Sequence, residues 1–271
     1  MANEVFNIST SVSEADLLGD SLVIGSSEIN TGNAFSYRNL SYILRNKGLV
    51  NRVSYSIFLG AANLYEGELL FGAIDTSKYL GDLNTIPLVK IYPYELVKPA
   101  EFHVILQGVG LVDHHGNVTS FNQQYLFALV DTGTTLFQVP QDLADIITKH
   151  VNASYDEDLG HYITNCSSQQ VGDSSAFVLK FGGENYFFPS GYFILKISNS
   201  YTCALGIIPS DDMKVYLGDN ALRSLYIVYD LENYEISFER VNYGSSDSST
   251  TSDTIKTIPS AGETFAQATK A

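Results

Sequence analysis

From residue 53 onward apolar positions follow the two-residue spacing of strands, punctuated by Gly. Tyr55, Ile57 and Leu59 alternate with Ser54, Ser56 and Phe58, and Leu69-Leu70-Phe71 ends at Gly72. Phe102-His103-Val104-Ile105-Leu106 reads as a strand, as does Tyr125–Val130, whose continuous apolar run predicts burial on both faces. Further strands are predicted at Ala176–Phe181, Tyr186–Phe188, Tyr192–Ile197, Tyr226–Tyr229 and Tyr234–Val241. The last two are joined by Leu231-Glu232-Asn233 as a hairpin. Helical spacing replaces this pattern twice. Leu40, Ile43 and Leu44 precede a stop at Gly48. Pro140–Val151 opens with Pro, carries Asp142 and Asp145 near its positive end, and sets Leu143, Ile146, Ile147 and Val151 on one face. The pattern predicts a mostly β body with short helices. Residues 1–36 are polar apart from Leu22-Val23-Ile24, and the Ser/Thr-rich stretch 244–271 reads as a disordered tail.

Composition narrows the function classes. At 271 residues and 45% hydrophobic, the chain buries a sizeable core and is too apolar to be disordered. Tyr (18) and Phe (15) without Trp, beside 21 Gly, favour strands and turns. Fifteen Lys and Arg against 30 Asp and Glu give a net charge of −15. That excludes a phosphate-binding surface for nucleic acid, disfavours anionic lipid and favours basic ligands. No apolar run reaches the length of a membrane-spanning helix. Cys166 and Cys203 allow at most one internal disulfide. Sequons beginning at Asn7, Asn39, Asn117, Asn152 and Asn165 suit a secreted context. The first residues, Met1-Ala2-Asn3-Glu4-Val5-Phe6-Asn7, carry neither a basic nor an apolar leader segment. The chain expressed as it stands is therefore expected in the cytoplasm.

The stretch that carries chemistry is Leu129-Val130-Asp131-Thr132-Gly133-Thr134-Thr135. An apolar strand running into a Gly-bearing turn presents a single carboxylate at a sheet rim. Gly133 permits close approach of backbone or ligand, and the Thr134 hydroxyl is placed to donate to the carboxylate. A second apolar strand, Val215-Tyr216-Leu217-Gly218-Asp219, lies against such a loop without a clashing side chain at Gly218. The alternative for the triplet alone is a surface turn in which Asp131 caps its own backbone. Asp219 reads as the start of the next turn or helix.

With these residues the sequence resembles the pepsin-like aspartic proteases, and most closely the fungal yapsins. Val130–Thr135 resembles the second catalytic loop of that family, and Leu217-Gly218-Asp219 the matching apolar-Gly segment. Leu70–Gly81 is similar to the stretch that opens the C-terminal lobe, and Tyr226–Ser237 to its closing hairpin. The resemblance runs from about Leu22 to Tyr243. It implies a pepsin-like lobe over residues 51–243, preceded by a partly ordered remnant of the N-terminal lobe at 1–50 and followed by the tail at 244–271. It implies that Asp131 is a catalytic aspartate and that Cys166 and Cys203 form the lobe's disulfide. It makes Thr132, Gly133, Thr134, Thr135, Leu217 and Gly218 the loop and cleft support, with peptides or proteins, some bearing basic residues, as substrates. No cofactor or metal is expected. Family localisation is extracellular, cell-surface or secretory.

The family uses two Asp-Thr/Ser-Gly loops whose carboxylates share one proton and one water. This sequence holds one. Asn30-Thr31-Gly32 is a look-alike, but its amide is no base. The chain is therefore expected to be the C-terminal portion of a yapsin-like protease and inactive by itself. Two alternatives stand beside it: a non-catalytic remnant binding peptides or partners through its lobe face, and a homodimeric protease with one Asp131 per chain. His114-His115 reads as a hairpin turn rather than a metal site. Asp211-Asp212 and Asp156-Glu157-Asp158 read as solvated loops.

Overall fold

The computed structural model describes residues 39–61, 67–91, 99, 101–113, 115–122, 124–166, 175–197, 202–244 and 254–260. The chain divides into two compact units, residues 1–102 with 226–271, and residues 103–225. Leu22-Val23-Ile24, Asn7, Asn30-Thr31-Gly32 and His114 lie outside the described residues.

In the first unit, α1 (Leu40–Asn46) starts at Asn39, whose side-chain oxygen accepts from the Tyr42 N–H at 3.1 Å. It stops before Gly48, which takes a φ of +69°. The predicted apolar face is not the buried one: Leu40 and Ile43 are exposed, and Ser41 is buried. Strands β1 (Ser54–Phe58), β2 (Glu68–Phe71), β3 (Ala73–Asp75) and β4 (Asn84–Pro87) follow. After the second unit, the chain returns with β17 (Leu225–Asp230), β18 (Glu235–Arg240) and β19 (Ile255–Thr257). Five of these form a sheet in the order β2-β1-β17-β18-β4.

The alternation in β1 predicts one polar face, yet Ser54, Tyr55 and Ser56 are all buried. The Ser56 hydroxyl donates to the Ala73 carbonyl at 2.9 Å and accepts from the Tyr226 hydroxyl at 2.8 Å. A small, fully bonded Ser is tolerated inside. Tyr55 stacks on Tyr229 at 4.6 Å, and Phe102 tilts against Tyr229 at 4.4 Å. Arg52, 1% exposed, donates to Asp230 Oδ2 at 3.0 Å and to the Ser260 carbonyl at 3.0 Å.

The expectation of a disordered tail fails at residues 254–260. β19 pairs antiparallel with β3, and Ile258 is fully buried against Ile74, Tyr79, Leu83, Tyr226 and Val228. Backbone pairing on an edge strand needs few apolar side chains, so a Ser/Thr-rich stretch supplies it.

The second unit contains β5 (His103–Val112), β6 (Val118–Ser120), β7 (Leu126–Val130), β8 (Phe137–Val139), α2 (Gln141–His150), β9 (Ser154–Asp156), β10 (His161–Asn165), β11 (Ala176–Phe181) and β12 (Glu184–Pro189). A 3-10 turn at Ser190–Phe193 leads to β13 (Ile194–Lys196), β14 (Thr202–Leu205), β15 (Ile207–Pro209), β16 (Val215–Leu217) and α3 (Asp219–Leu222). The strand predicted over Tyr192–Ile197 thus begins as a helical turn. One sheet runs β12-β11-β5-β7-β16-β8-β15, with β6 added on β5; another runs β13-β14-β10-β9.

β7 is not buried on both faces. Ala128 and Val130 are buried, while Phe127 is exposed, so its apolar run presents one side to the core. In α2 the buried positions are Leu143, Ala144, Ile147 and Thr148, and Ile146 is exposed. Phe193 packs edge to face on Phe137 at 5.8 Å and tilts against Phe177 at 4.8 Å. Cys166 and Cys203 are bonded, with S–S 2.09 Å and Cα–Cα 5.1 Å, extending the β10–β14 pairing.

Candidate active-site loop

The site begins with strand connectivity inside the second unit. β7 and β8 are separated by the loop 131–136, and β16 is inserted between them. β16 runs parallel to β7, with Leu217 opposite Val130, and antiparallel to β8. The Asp131 N–H donates to the Leu217 carbonyl at 3.1 Å, so the carboxylate emerges where the two parallel strands end.

The loop wraps around the next residue, Gly218. A Cβ there would lie 2.5 Å from the Leu136 carbonyl oxygen and 2.6 Å from that of Thr134. Glycine is required by this close backbone approach, not by φ, which is −80°. The Thr134 carbonyl then accepts from the Asp219 N–H at 2.8 Å, and the Thr135 carbonyl from the Asn220 N–H at 3.2 Å. The first turn of α3 is thereby fastened to the loop.

Both carboxylate oxygens of Asp131 are engaged. Oδ1 accepts from the Gly133 N–H at 2.8 Å, and Oδ2 accepts from the Thr134 hydroxyl at 2.5 Å. This is an Asx-type turn, but one in which a hydroxyl holds the second oxygen and fixes the side-chain rotamer. Asp131 and Thr132 remain partly exposed, and Gly133 and Thr135 are exposed, so the carboxylate faces outward on a rigid base. Every loop residue selected from the sequence falls in this one constellation: Asp131, Thr132, Gly133, Thr134 and Thr135, with Leu217 and Gly218 beside them.

Two neighbours carry more than the sequence suggested. Asp219 begins α3 as expected, but its carboxyl is held above the ordinary range, chiefly by burial. The Arg223 guanidinium opposes that shift, and the Asp131 charge adds to it. The first carboxyl of α3 therefore senses the Asp131 charge. Asn220 is 7% exposed and donates from Nδ2 to the Gly206 carbonyl at 2.7 Å, joining α3 to the β14–β15 link. The Leu-Gly-Asp-Asn run was the available signal for both.

The other candidates settle locally. Asp113 accepts at Oδ1 from the His115 and Asn117 N–H groups, each at 2.8 Å, forming the hairpin turn between β5 and β6. Among the described residues no group of three or more His, Cys, Asp or Glu converges on a metal position. Asp212 accepts from Lys214 Nζ and from the Tyr216 hydroxyl, each at 3.0 Å, and Asp156 accepts from the Leu159 N–H at 3.0 Å. Both acidic clusters thus include carboxylates committed to their own loops. Asn39 is 2% exposed and caps α1, so a glycan there would break the cap; Asn117 and Asn152 are exposed. Among the described residues no helix is long and apolar enough to cross a membrane.

The family model for eukaryotic aspartyl protease matches residues 6–241. The chain is 38% identical over 238 residues to aspartic proteinase 3 of Saccharomyces cerevisiae, covering 87% of this chain and 40% of that protein. It is 40% identical to aspartic proteinase yapsin-3 of the same yeast, covering 84% and 44% respectively. Against secreted aspartic protease 9 of Candida albicans it is 34% identical, covering 82% and 40%. The chain thus spans about two-fifths of the length of these relatives.

Proposed function

Because this chain belongs to the eukaryotic aspartyl protease family, we propose that it supplies one half of a peptide-hydrolysing carboxyl pair, with Asp131 as the catalytic aspartate. The observation that carries this reading is the anchoring of Asp131. Gly133 and Thr134 each hold one carboxylate oxygen, and the loop is locked around Gly218. The surface turn at Asp113 also has both carboxylate oxygens bonded; what sets the Asp131 loop apart is the strand inserted beside it and the glycine held between its carbonyls.

The chemistry follows from two close carboxyls. They do not both ionise readily, so the pair retains one proton. The ionised member takes a proton from water as the oxygen attacks the scissile carbonyl, and the protonated member donates to that carbonyl's oxygen. Asp131 supplies either role in a given step, not both. Thr132 is the residue placed to bond the opposite loop, and Thr134 and Thr135 border the peptide. No metal or cofactor enters the scheme. Since the sequence holds one Asp-Thr-Gly triplet, we read the chain alone as inactive. Substrates are peptides or proteins; the net charge of −15 favours basic ones. The disulfide and the sequons at Asn117 and Asn152 support folding in the secretory pathway, with those two asparagines as glycan acceptors.

The test is to join the chain to an N-terminal lobe carrying the other aspartyl loop, taken from the yeast yapsin-3, and assay acid peptide hydrolysis. Pepstatin-sensitive cleavage that Asp131→Asn abolishes is the expected result. A folded fusion whose cleavage survives Asp131→Asn would remove Asp131 from the mechanism.

A further inference from the structure

Among the described residues, two carboxylate oxygens are buried with no hydrogen-bond partner: Oε1 of Glu68 and Oδ2 of Asp75. They belong to one cluster in the first unit. Glu68 opens β2 opposite Phe58 of β1, and Asp75 closes β3, the next strand. Asp75 is 0% exposed, and Ser77 donates to its Oδ1 twice, from N–H at 2.9 Å and from the hydroxyl at 2.7 Å. The Tyr226 hydroxyl of β17 accepts from the Asp75 N–H at 2.8 Å and faces both carboxyls. Lys78 is the cation facing Glu68, and its Nζ lies 5.2 Å from the Phe58 ring centroid. Beyond Asp75, Tyr79 faces Asp75, Asp82 and Glu239.

β3 also carries the C-terminal strap. Ile255 stands opposite Asp75 in the β3–β19 pairing. Thr76 donates to the Thr254 carbonyl from N–H at 2.9 Å and from its hydroxyl at 3.0 Å. The Ile258 N–H donates to the Gly72 carbonyl at 2.8 Å, and its side chain packs on Ile74 and Tyr226. Gly72 is the single residue between β2 and β3, so the acidic cluster and the strap share one short piece of backbone.

We propose that Glu68, its Oε1 buried beside Asp75, holds a proton at acidic pH and so fastens the strap, residues 254–260, and that losing this proton loosens the strap as pH approaches neutrality. Two negative charges in this cluster would face one cation, Lys78, in a partly desolvated site, and β3 would have to give way to admit water. Burial first, then the Asp75 charge, pushes Glu68 from 4.5 up to about 7, against the opposing pull of Lys78. A carboxyl whose folded value lies above its unfolded one stabilises fully below the unfolded value. That contribution is lost as pH rises through the folded value, which sets the window between 4.5 and about 7.

The experiment is amide hydrogen exchange of the full chain, corrected for intrinsic pH dependence and read at residues 254–258. Protection in the wild-type chain is expected to fall by about tenfold between about pH 5 and about pH 8. Glu68→Gln removes the titrating group at nearly constant shape and is expected to flatten that profile. Asp75→Asn keeps the Oδ1 acceptor for Ser77, removes the charge that pushes Glu68 up, is expected to move the fall in protection to lower pH, and serves if Glu68→Gln does not fold. A wild-type profile that does not change with pH overturns the proposal, as does an unchanged profile in either folded variant.

Discussion

Replacing Gly218 by Ala isolates the packing that positions Asp131. The added Cβ meets two backbone carbonyl oxygens at 2.5 and 2.6 Å, where ordinary contact begins near 3.4 Å. Leu136 and Thr134 must each retreat by about 0.8–0.9 Å. Neither is the end of a flexible side chain. Overpacking of this kind costs about 1–3 kcal/mol. The retreat also strains the hydrogen bonds from Asp219 N–H to Thr134 and from Asn220 N–H to Thr135, each worth about 1 kcal/mol. The sum is about 2–4 kcal/mol, which for a chain of this size lowers Tm by about 5–15 °C. Gly191→Ala is the control: it is exposed, has no atom within 4 Å of its would-be Cβ and has no positive φ. It should stay within about 0.5 kcal/mol of wild type. Urea and thermal unfolding read both variants. A Gly218→Ala chain as stable as the Gly191→Ala control would refute the claim that the loop is clamped around this glycine.

Further predictions follow from other parts of the chain. Removing both Cys166 and Cys203 opens a closure of 37 positions and should cost about 3–4 kcal/mol in the chain-entropy picture, read by urea unfolding. Arg52→Ala leaves Asp230 buried without its guanidinium and should cost about 3–5 kcal/mol, with loss of exchange protection at residues 254–260 because the Ser260 contact goes too. Asp131→Asn removes one of the influences that hold Asp219 up. The Asp219 carboxyl should then titrate nearer its ordinary range by NMR, and the part of the stability that is lost as pH rises through its midpoint should shift to lower pH.

The Asp131 loop was legible in sequence because its requirements are local and short: an apolar strand, a Gly turn, and a hydroxyl three residues after the carboxylate. Gly218 was legible because an apolar strand broken by Gly marks close backbone approach. Asp219 reads alone as a helix start; its coupling to Asp131 depends on inserting β16 between β7 and β8, a non-local pairing that no periodicity records. β19 was hidden for a related reason. Its fastening comes from backbone pairing to β3 and from one buried side chain, Ile258, inside a stretch whose composition argues for disorder. Ser56 misled the reading of β1 because alternation tells which residues are polar, not which polar residues find partners inside.

The central claim is tested most directly by assaying acid peptide hydrolysis of this chain alone, over a wide concentration range, beside Asp131→Asn. A single carboxyl loses the acid–base partner that such steps use, a loss of about 10²–10⁴-fold per group. The account predicts no pepstatin-sensitive cleavage at any concentration. Pepstatin-sensitive cleavage that is linear in concentration and abolished by Asp131→Asn would contradict it, and a rate rising with the square of concentration would show two Asp131 loops meeting in a homodimer.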